Sequence, residues 1–203
     1  MSIKKHAITL AAATLLAAGL SGCVGAIVGG AAVGGASAID RRSTGAQADD
    51  EVMELRIRNT ANTYLRQNNA AEGFEPKLAV VSYNRHILLL GQVATEGEKN
   101  FVEQGARAEQ SAQAVDSYIE VAPQARTFGN VSADTWSTTK VRTTLLGIQG
   151  VIPSRVKIVT YEGTTYVMGI LTPEEQAAVT EKVSTTAGVQ KVVTLYQTYI
   201  QQP

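Results

Sequence analysis

The body of this 203-residue chain is written twice. Residues 78–93 (LAVVSYNRHILLLGQV), set over residues 156–171 (VKIVTYEGTTYVMGIL) at an offset of 78, align Tyr83 with Tyr161 and Gly91 with Gly169. Seven more of the sixteen positions pair conservatively, among them Leu78/Val156, Val80/Ile158, Leu89/Val167 and Val93/Leu171. A duplicated block of this kind is one supersecondary unit used twice, so the fold must be two similar modules and not one large sheet or bundle.

Each block reads as two strands around a tight turn, at Asn84-Arg85 and at Glu162-Gly163, the second with a glycine able to take positive φ. A helix start follows each pair. Thr172-Pro173-Glu174-Glu175 is a capping box with Pro at the first helical position, and Thr95-Glu96-Gly97-Glu98 is its counterpart. The stripes behind these caps are Phe101, Gly105, Ala108 and Ala112 in one unit and Val179, Val183 and Thr186 in the other. Short strands at 114–121 and 189–200 end the units. A helix precedes each hairpin. One spans 50–68, capped by Asp49/Asp50, with Ile57, Ala61, Tyr64 and Leu65 on one face; the other spans 133–147 after Ser132, with Val141, Leu145 and Ile148 on one face. The fold class is therefore α+β: two tandem units over 50–121 and 132–203, joined by a linker at 122–131. Each runs helix-strand-strand-helix-strand, a three-stranded mixed sheet packed by two helices. Units of about 70 residues have marginal cores and gain by leaning on each other.

Residues 1–22 read as a secretory signal, with Lys4 and Lys5 ahead of an apolar stretch from Ala7 to Leu20. It ends in Leu20-Ser21-Gly22-Cys23, which resembles the bacterial lipobox, where the cysteine is acylated and becomes the new N-terminus. An ordinary signal peptide and a single membrane-spanning helix over the uncharged run 7–39 are the alternatives. Several acyl chains on Cys23 hold a membrane firmly, at about 0.8 kcal/mol per buried methylene. Val24 stands where Asp resembles an inner-membrane retention signal, so the expected address is the outer membrane, periplasmic side. Residues 23–49 then form a lipidated Gly/Ala-rich tether. The spacing of Gly25, Gly29 and Gly34 also leaves open helix packing in lipid.

Composition removes most chemistries. Eighteen basic residues balance eighteen acidic ones, so no global field favours nucleic acid. The single cysteine, Cys23, rules out a disulfide framework within the chain, and the two histidines, His6 and His86, are too few for a Cys/His zinc site. His86 has no ligand partner near it in sequence and reads as solvated or turn-packed. Glu96/Glu98 and Glu174/Glu175 are helix-start carboxylates. The expectation is a non-enzyme with no cofactor.

The element order, the repeat, and the hydrophobic-x-Gly-x-hydrophobic pattern in Leu89-Leu90-Gly91-Gln92-Val93 and Val167-Met168-Gly169-Ile170-Leu171 resemble the BON domain. Two such units behind a lipobox are similar to the dual-BON outer-membrane lipoproteins of the division and outer-membrane stress-associated lipid-binding group, most closely in residues 134–142 (DTWSTTKVR). The resemblance implies binding of anionic, phosphatidylglycerol-like phospholipid, chiefly through the second unit, and support of envelope integrity; contact with outer-membrane assembly or cell-division factors belongs to the alternative reading of the chain as an interaction scaffold. Ser137 stands where some relatives are more apolar, which would weaken membrane contact.

The residues give that implication a location. At 100° per residue, Trp136, the only tryptophan, lies about 180° from Leu145 and about 140° from Val141, opposite the core stripe. Lys140 lies about 40° from it, Thr143 and Gly147 about 20°, and Leu146 about 80°. Trp beside a snorkelling lysine suits a membrane interface, and Arg142 and Lys157 add basic charge. The expected lipid-contacting set is Trp136, Lys140, Val141, Thr143, Leu146 and Gly147. Two readings stay open: the indole packs instead against a loop or the sister unit, and Val141 serves either the core or the lipid edge. A protein-interaction scaffold using the same face is the competing function.

Overall fold

A computed structural model of the chain describes residues 40–68 and 74–200. The signal segment, Cys23 and the Gly/Ala-rich stretch up to residue 39 lie outside the described residues.

The first unit comprises α1 (Thr44–Asn68), β1 (Lys77–Tyr83), β2 (His86–Val93), α2 (Glu96–Arg107) and β3 (Ala114–Val121). The second comprises α3 (Phe128–Leu145), a single 3-10 turn (Pro153–Arg155), β4 (Val156–Tyr161), β5 (Thr164–Leu171), α4 (Pro173–Ser184) and β6 (Lys191–Thr198). Each sheet is mixed: the hairpin is antiparallel, and the last strand joins it parallel, in the orders β1-β2-β3 and β4-β5-β6. The α+β class, the element order and the equivalence of the two units are as the sequence implies.

Both hairpins turn through positive φ at both central residues, Asn84 (50°) and Arg85 (65°), then Glu162 (49°) and Gly163 (73°). That handedness matches the twist of the flanking strands. Both expected capping boxes form. Glu98 accepts from Thr95 N at 3.1 Å and Ala94 N at 2.7 Å, and Glu175 accepts from Thr172 N at 2.8 Å.

The repeated glycine is a steric requirement. Gly91 pairs with Leu78 and Gly169 with Val156 across the hairpins. A Cβ on Gly91 would stand 2.6 Å from Lys77 O and against Leu78 Cδ2; one on Gly169 would stand 2.9 Å from Arg155 O.

Four layers stack as helices, sheet, sheet, helices. Met53, Ile57, Ala61 and Leu65 of α1 pack with Val102 and Ala106 of α2 on Ile87, Leu89 and Val93. Val141 and Leu145 of α3 pack with Val179 and Val183 of α4 on Ile158, Val167 and Leu171. The opposite sheet faces meet in a third cluster, where Tyr83, Leu88 and Leu90 pack against Tyr161, Tyr166 and Met168. Both faces of β2 and β5 are thus covered, which explains why they read as nearly continuous apolar runs.

Polar contacts fasten the seam. Tyr83 Oη donates to Arg155 O at 2.9 Å, Gln92 Nε2 donates to Glu162 Oε1 at 2.9 Å, and Lys157 pairs with Glu54 and donates to Ser82 O at 3.0 Å. Burial, with Glu120 beside it, holds the Glu162 carboxyl above its ordinary range, and Arg126 opposes that. Arg41 donates to Ile170 O at 2.8 Å, pairs with Glu175 and lies 4.1 Å over the Tyr199 ring. Burial alone would raise the Glu175 carboxyl, but the Arg41 hydrogen bonds win and lower it.

Several boundaries move. Helix α1 begins at Thr44, with Ser43 Oγ accepting from Ala46 N at 3.1 Å, so residues 44–49, read as tether, are helical and Asp49/Asp50 are not caps. Helix α3 begins at Phe128 behind Thr127, not after Ser132. Helix α2 stops at Arg107, so its buried side is Val102 and Ala106, with Phe101 partly buried, and Ala108 and Ala112 lie beyond it. His86 stands at the start of β2 as expected, and its Nε2 lies 2.6 Å from Asp116 Oδ2, thirty residues away in sequence on the adjacent strand.

Candidate lipid-docking site

Helix α3 is held firmly along its inner side. Asp134, 7% exposed, accepts from Glu162 N at 2.7 Å and Gly163 N at 3.0 Å, tying the helix to the β4-β5 turn. Thr138 Oγ1 accepts from Thr160 N at 2.9 Å, Ser137 is buried with its hydroxyl aimed at Gly188 O, and Val141 and Leu145 sit in the core.

What remains outward is an arc of about 160°, taking 100° per residue. It runs from Lys140 through Trp136, Thr143, Thr139 and Leu146 to Arg142. Trp136 is 63% exposed and Leu146 73%. The one acidic residue of the helix, Asp134, is the buried one, so the arc carries two cations and no carboxylate. The Lys140 ammonium lies 6.0 Å from the indole centroid and donates to Ala187 O. Arg142 reaches Ile158 O at 3.1 Å on the opposite edge.

The threonines of this face have turned their hydroxyls inward. Thr135 donates to Val131 O at 2.8 Å, Thr139 to Thr135 O at 2.9 Å and Thr143 to Thr139 O at 3.0 Å. A hydroxyl already bonded to the carbonyl one turn back loses little when water leaves. Residue type alone gives these positions as small and polar; their bonding makes them tolerant of a partly dry setting.

Three sequence expectations fail here. Val141 is fully buried and cannot touch lipid. Ser137 faces the loop after α4, so its polarity does not bear on the outer surface. Lys157 is committed to Glu54 across the seam and is no spare cation for an anionic surface. Leu146 is the C-cap of α3, and exposed Gly147 follows it, so both stand at the helix end.

Beside α3 runs a groove of about 610 Å³, walled by Gln47, Asp50 and Glu51 of α1 and by Thr139, Arg142 and Leu146. Arg42 also lines it. Among the described residues, no group of three or more His, Cys, Asp or Glu is placed to hold a metal ion, and no helix is long and apolar enough to cross a membrane.

The profile of the BON domain matches residues 57–123 and 133–196, one copy in each unit. The chain belongs to the BON-domain family. It is 31% identical over 195 residues to the outer membrane lipoprotein DolP of Haemophilus influenzae, covering 96% of each chain. It is 32% identical over 164 residues to a 21 kDa hemolysin of Actinobacillus pleuropneumoniae, covering 76% of this chain and 77% of that one. Among solved structures, CdsD, a structural protein of the Chlamydia trachomatis type III secretion system, is 10% identical with a TM-score of 0.30, over 71% of this chain and 92% of that one, a likeness that carries no argument.

Each BON unit contains an arginine–aspartate–tyrosine clamp that the sequence reading missed. Arg42 pairs with Asp50 at 2.9 Å and lies 4.3 Å over the Tyr83 ring; Arg126 pairs with Asp134 and lies 4.1 Å over the Tyr161 ring. Asp50 accepts from Ser82 Oγ, Asn84 N and Arg85 N, each at 2.7 Å, as Asp134 serves Glu162 N and Gly163 N. The clue lay in the spacing: both arginines precede their aspartates by eight residues, at a common repeat offset of 84.

Proposed function

We propose that this BON protein is an outer-membrane lipoprotein anchored through acyl chains on Cys23, facing the periplasm, that docks on anionic phospholipid through the outward face of α3 and supports envelope integrity. The name of the DolP relative supports the address. The observation that carries the docking is the exposure of Trp136 and Leu146 on an acid-free arc edged by Lys140 and Arg142. An indole and a leucine in the headgroup boundary gain apolar burial, while each basic side chain adds about 1 kcal/mol at an anionic surface. An acyl anchor raises the local concentration of lipid, so a weak site suffices. The contact set is Trp136, Lys140, Thr143, Leu146 and Gly147, without Val141.

The test is a residue-resolved NMR titration of residues 40–203 with phosphatidylglycerol micelles. The expected result is shifts concentrated in residues 133–147 that vanish in Trp136→Glu. An absence of shifts, or shifts unchanged by that substitution, refutes docking through α3. Crosslinks from residue 136 to protein and not to lipid would favour an assembly or division scaffold.

A further inference from the structure

We infer that the free edge of β6 binds a second copy of this chain: two β6 strands pair antiparallel across a two-fold axis and join two β4-β5-β6 sheets into one of six strands. The pairing stands apart from docking through α3; only its consequence for the membrane rests on that docking.

β6 is an end strand, bonded to β5 alone. At its two ends Lys191 N donates to Gly163 O and Tyr199 N to Leu171 O, so its odd-numbered residues turn their main-chain groups toward β5. Alternation along the strand turns the N–H and C=O of Val192, Thr194, Tyr196 and Thr198 to the free side. Among the described residues, no group outside the strand ladder bonds them there. Such a row of donors and acceptors is a template for another strand. The side chains of these four lie on the α4 side, where Val192 and Tyr196 pack partly into the core. An open groove of about 540 Å³ runs between Thr194 and Tyr196 and the Gln176, Ala177 and Thr180 side of α4, leaving room for the side chains of an added strand.

Charge selects the occupant. β3 is the equivalent end strand of the first unit, at an offset of 77. Paired with its own copy about Tyr118, it would set Asp116 against Glu120 twice, and like charges directly opposed are unfavourable. In β6 the same positions are Val193 and Gln197, and residues 192–200 carry no charge. Paired about Leu195, Thr194 faces Tyr196 and Val192 faces Thr198, the aromatic, β-branched and hydroxyl pairs that stabilise a sheet. Lys191 then faces Tyr199, and no like charges meet. β6 is thus its own complement, and β3 is not.

Symmetry agrees with the membrane. A two-fold axis between antiparallel strands stands perpendicular to their sheet. Helices α3 and α4 cover one face of β4-β5-β6, and Trp136 points away from that sheet. Both copies therefore present their α3 faces to the same side, as two bodies anchored in one leaflet require. Anchoring raises the local concentration of copies, so an edge contact that is weak in solution is populated at the membrane.

The experiment uses the full lipidated chain in phosphatidylglycerol-containing vesicles, with one introduced cysteine at a time and a short bismaleimide crosslinker. The sites are Thr194→Cys and Thr198→Cys, both exposed on the free edge, and Ser117→Cys, the equivalent of 194 on β3. The unsubstituted chain checks that acylated Cys23 does not react. In the pairing about Leu195, residue 194 lies about 7–8 Å from its own copy, whereas the two 198 positions are six residues apart along the strands, about 20 Å. The expected result is covalent dimer at 194 in at least tenfold the yield at 198 or 117. Equal yields at 194 and 198 mean random collision or another arrangement, and equal yields at 194 and 117 mean that the charges of β3 do not discriminate; either overturns the inference. Trp136 emission from the same vesicles separates the two proposals. Blue-shifted emission without dimer at 194 leaves docking and refutes pairing; dimer at 194 with a water-exposed indole upholds pairing and refutes docking.

Discussion

Asp50 shows how much one side chain can organise. It is 2% exposed and receives Ser82 Oγ, Asn84 N, Arg85 N and Arg42. Two of those donors belong to residues at positive φ, one of them an arginine where glycine is the easy choice. Asp50→Ala leaves the turn amides and a guanidinium without their acceptor in a low-dielectric site, and loses on the order of 3–5 kcal/mol, read by chemical denaturation. Tyr83 makes a separate prediction. Burial first, then the nearby Asp40 carboxylate, pushes its ionisation up to about 12. A group whose folded pKa is raised gives stability that is complete below its unfolded value and fades as pH climbs. Stability therefore holds to about pH 10 and falls between there and about 12, by on the order of 3 kcal/mol from this ring, and the pH dependence of the denaturation midpoint checks it. The two aspartates were hard to read from sequence, because an aspartate near a helix start looks like a cap whether it ends the helix or lies two turns inside.

Among the elements, β2 and β5 were the most legible, since alternation, turn residues and the repeat agreed. The glycine in each was visible as a pattern, but its cause, a carbonyl of the partner strand where a Cβ would go, needed the register. Gly91→Ala is expected to cost about 1–3 kcal/mol as the hairpin spreads. Helix starts were less legible, because α1 and α3 are capped by Ser43 and Thr127 inside stretches whose composition reads as loop. On α3, 100° periodicity placed Trp136 outward and Leu145 inward, as found, but it could not show that Lys157 is taken by a partner 103 residues away. Because Trp136 is largely exposed, Trp136→Glu should change stability by no more than about 0.5 kcal/mol while removing lipid response; a large loss of stability would mean that the ring also supports the fold.

At the scale of the whole molecule, two units that would each have a thin core share a third one between their sheets. Leu88 and Leu90 serve that seam and Ile87 and Leu89 their own helices, so the apolar run of β2 could be read as buried without showing what covered its second face. Leu88→Ala is expected to cost about 2–5 kcal/mol, and the two units to unfold in one calorimetric transition; two separated transitions would deny the shared core. Two adjacent arginines also join the units, Arg41 binding Glu175 of the second and Arg42 binding Asp50 of the first. Docking itself has a built-in reporter, because Trp136 is the only tryptophan. Its emission should be measured in residues 40–203 added to phosphatidylglycerol vesicles and to neutral phosphatidylcholine vesicles. A blue shift with quenching by nitroxide lipid in the first alone is the expected outcome. Emission that stays that of a water-exposed indole in both would mean that α3 does not meet the membrane.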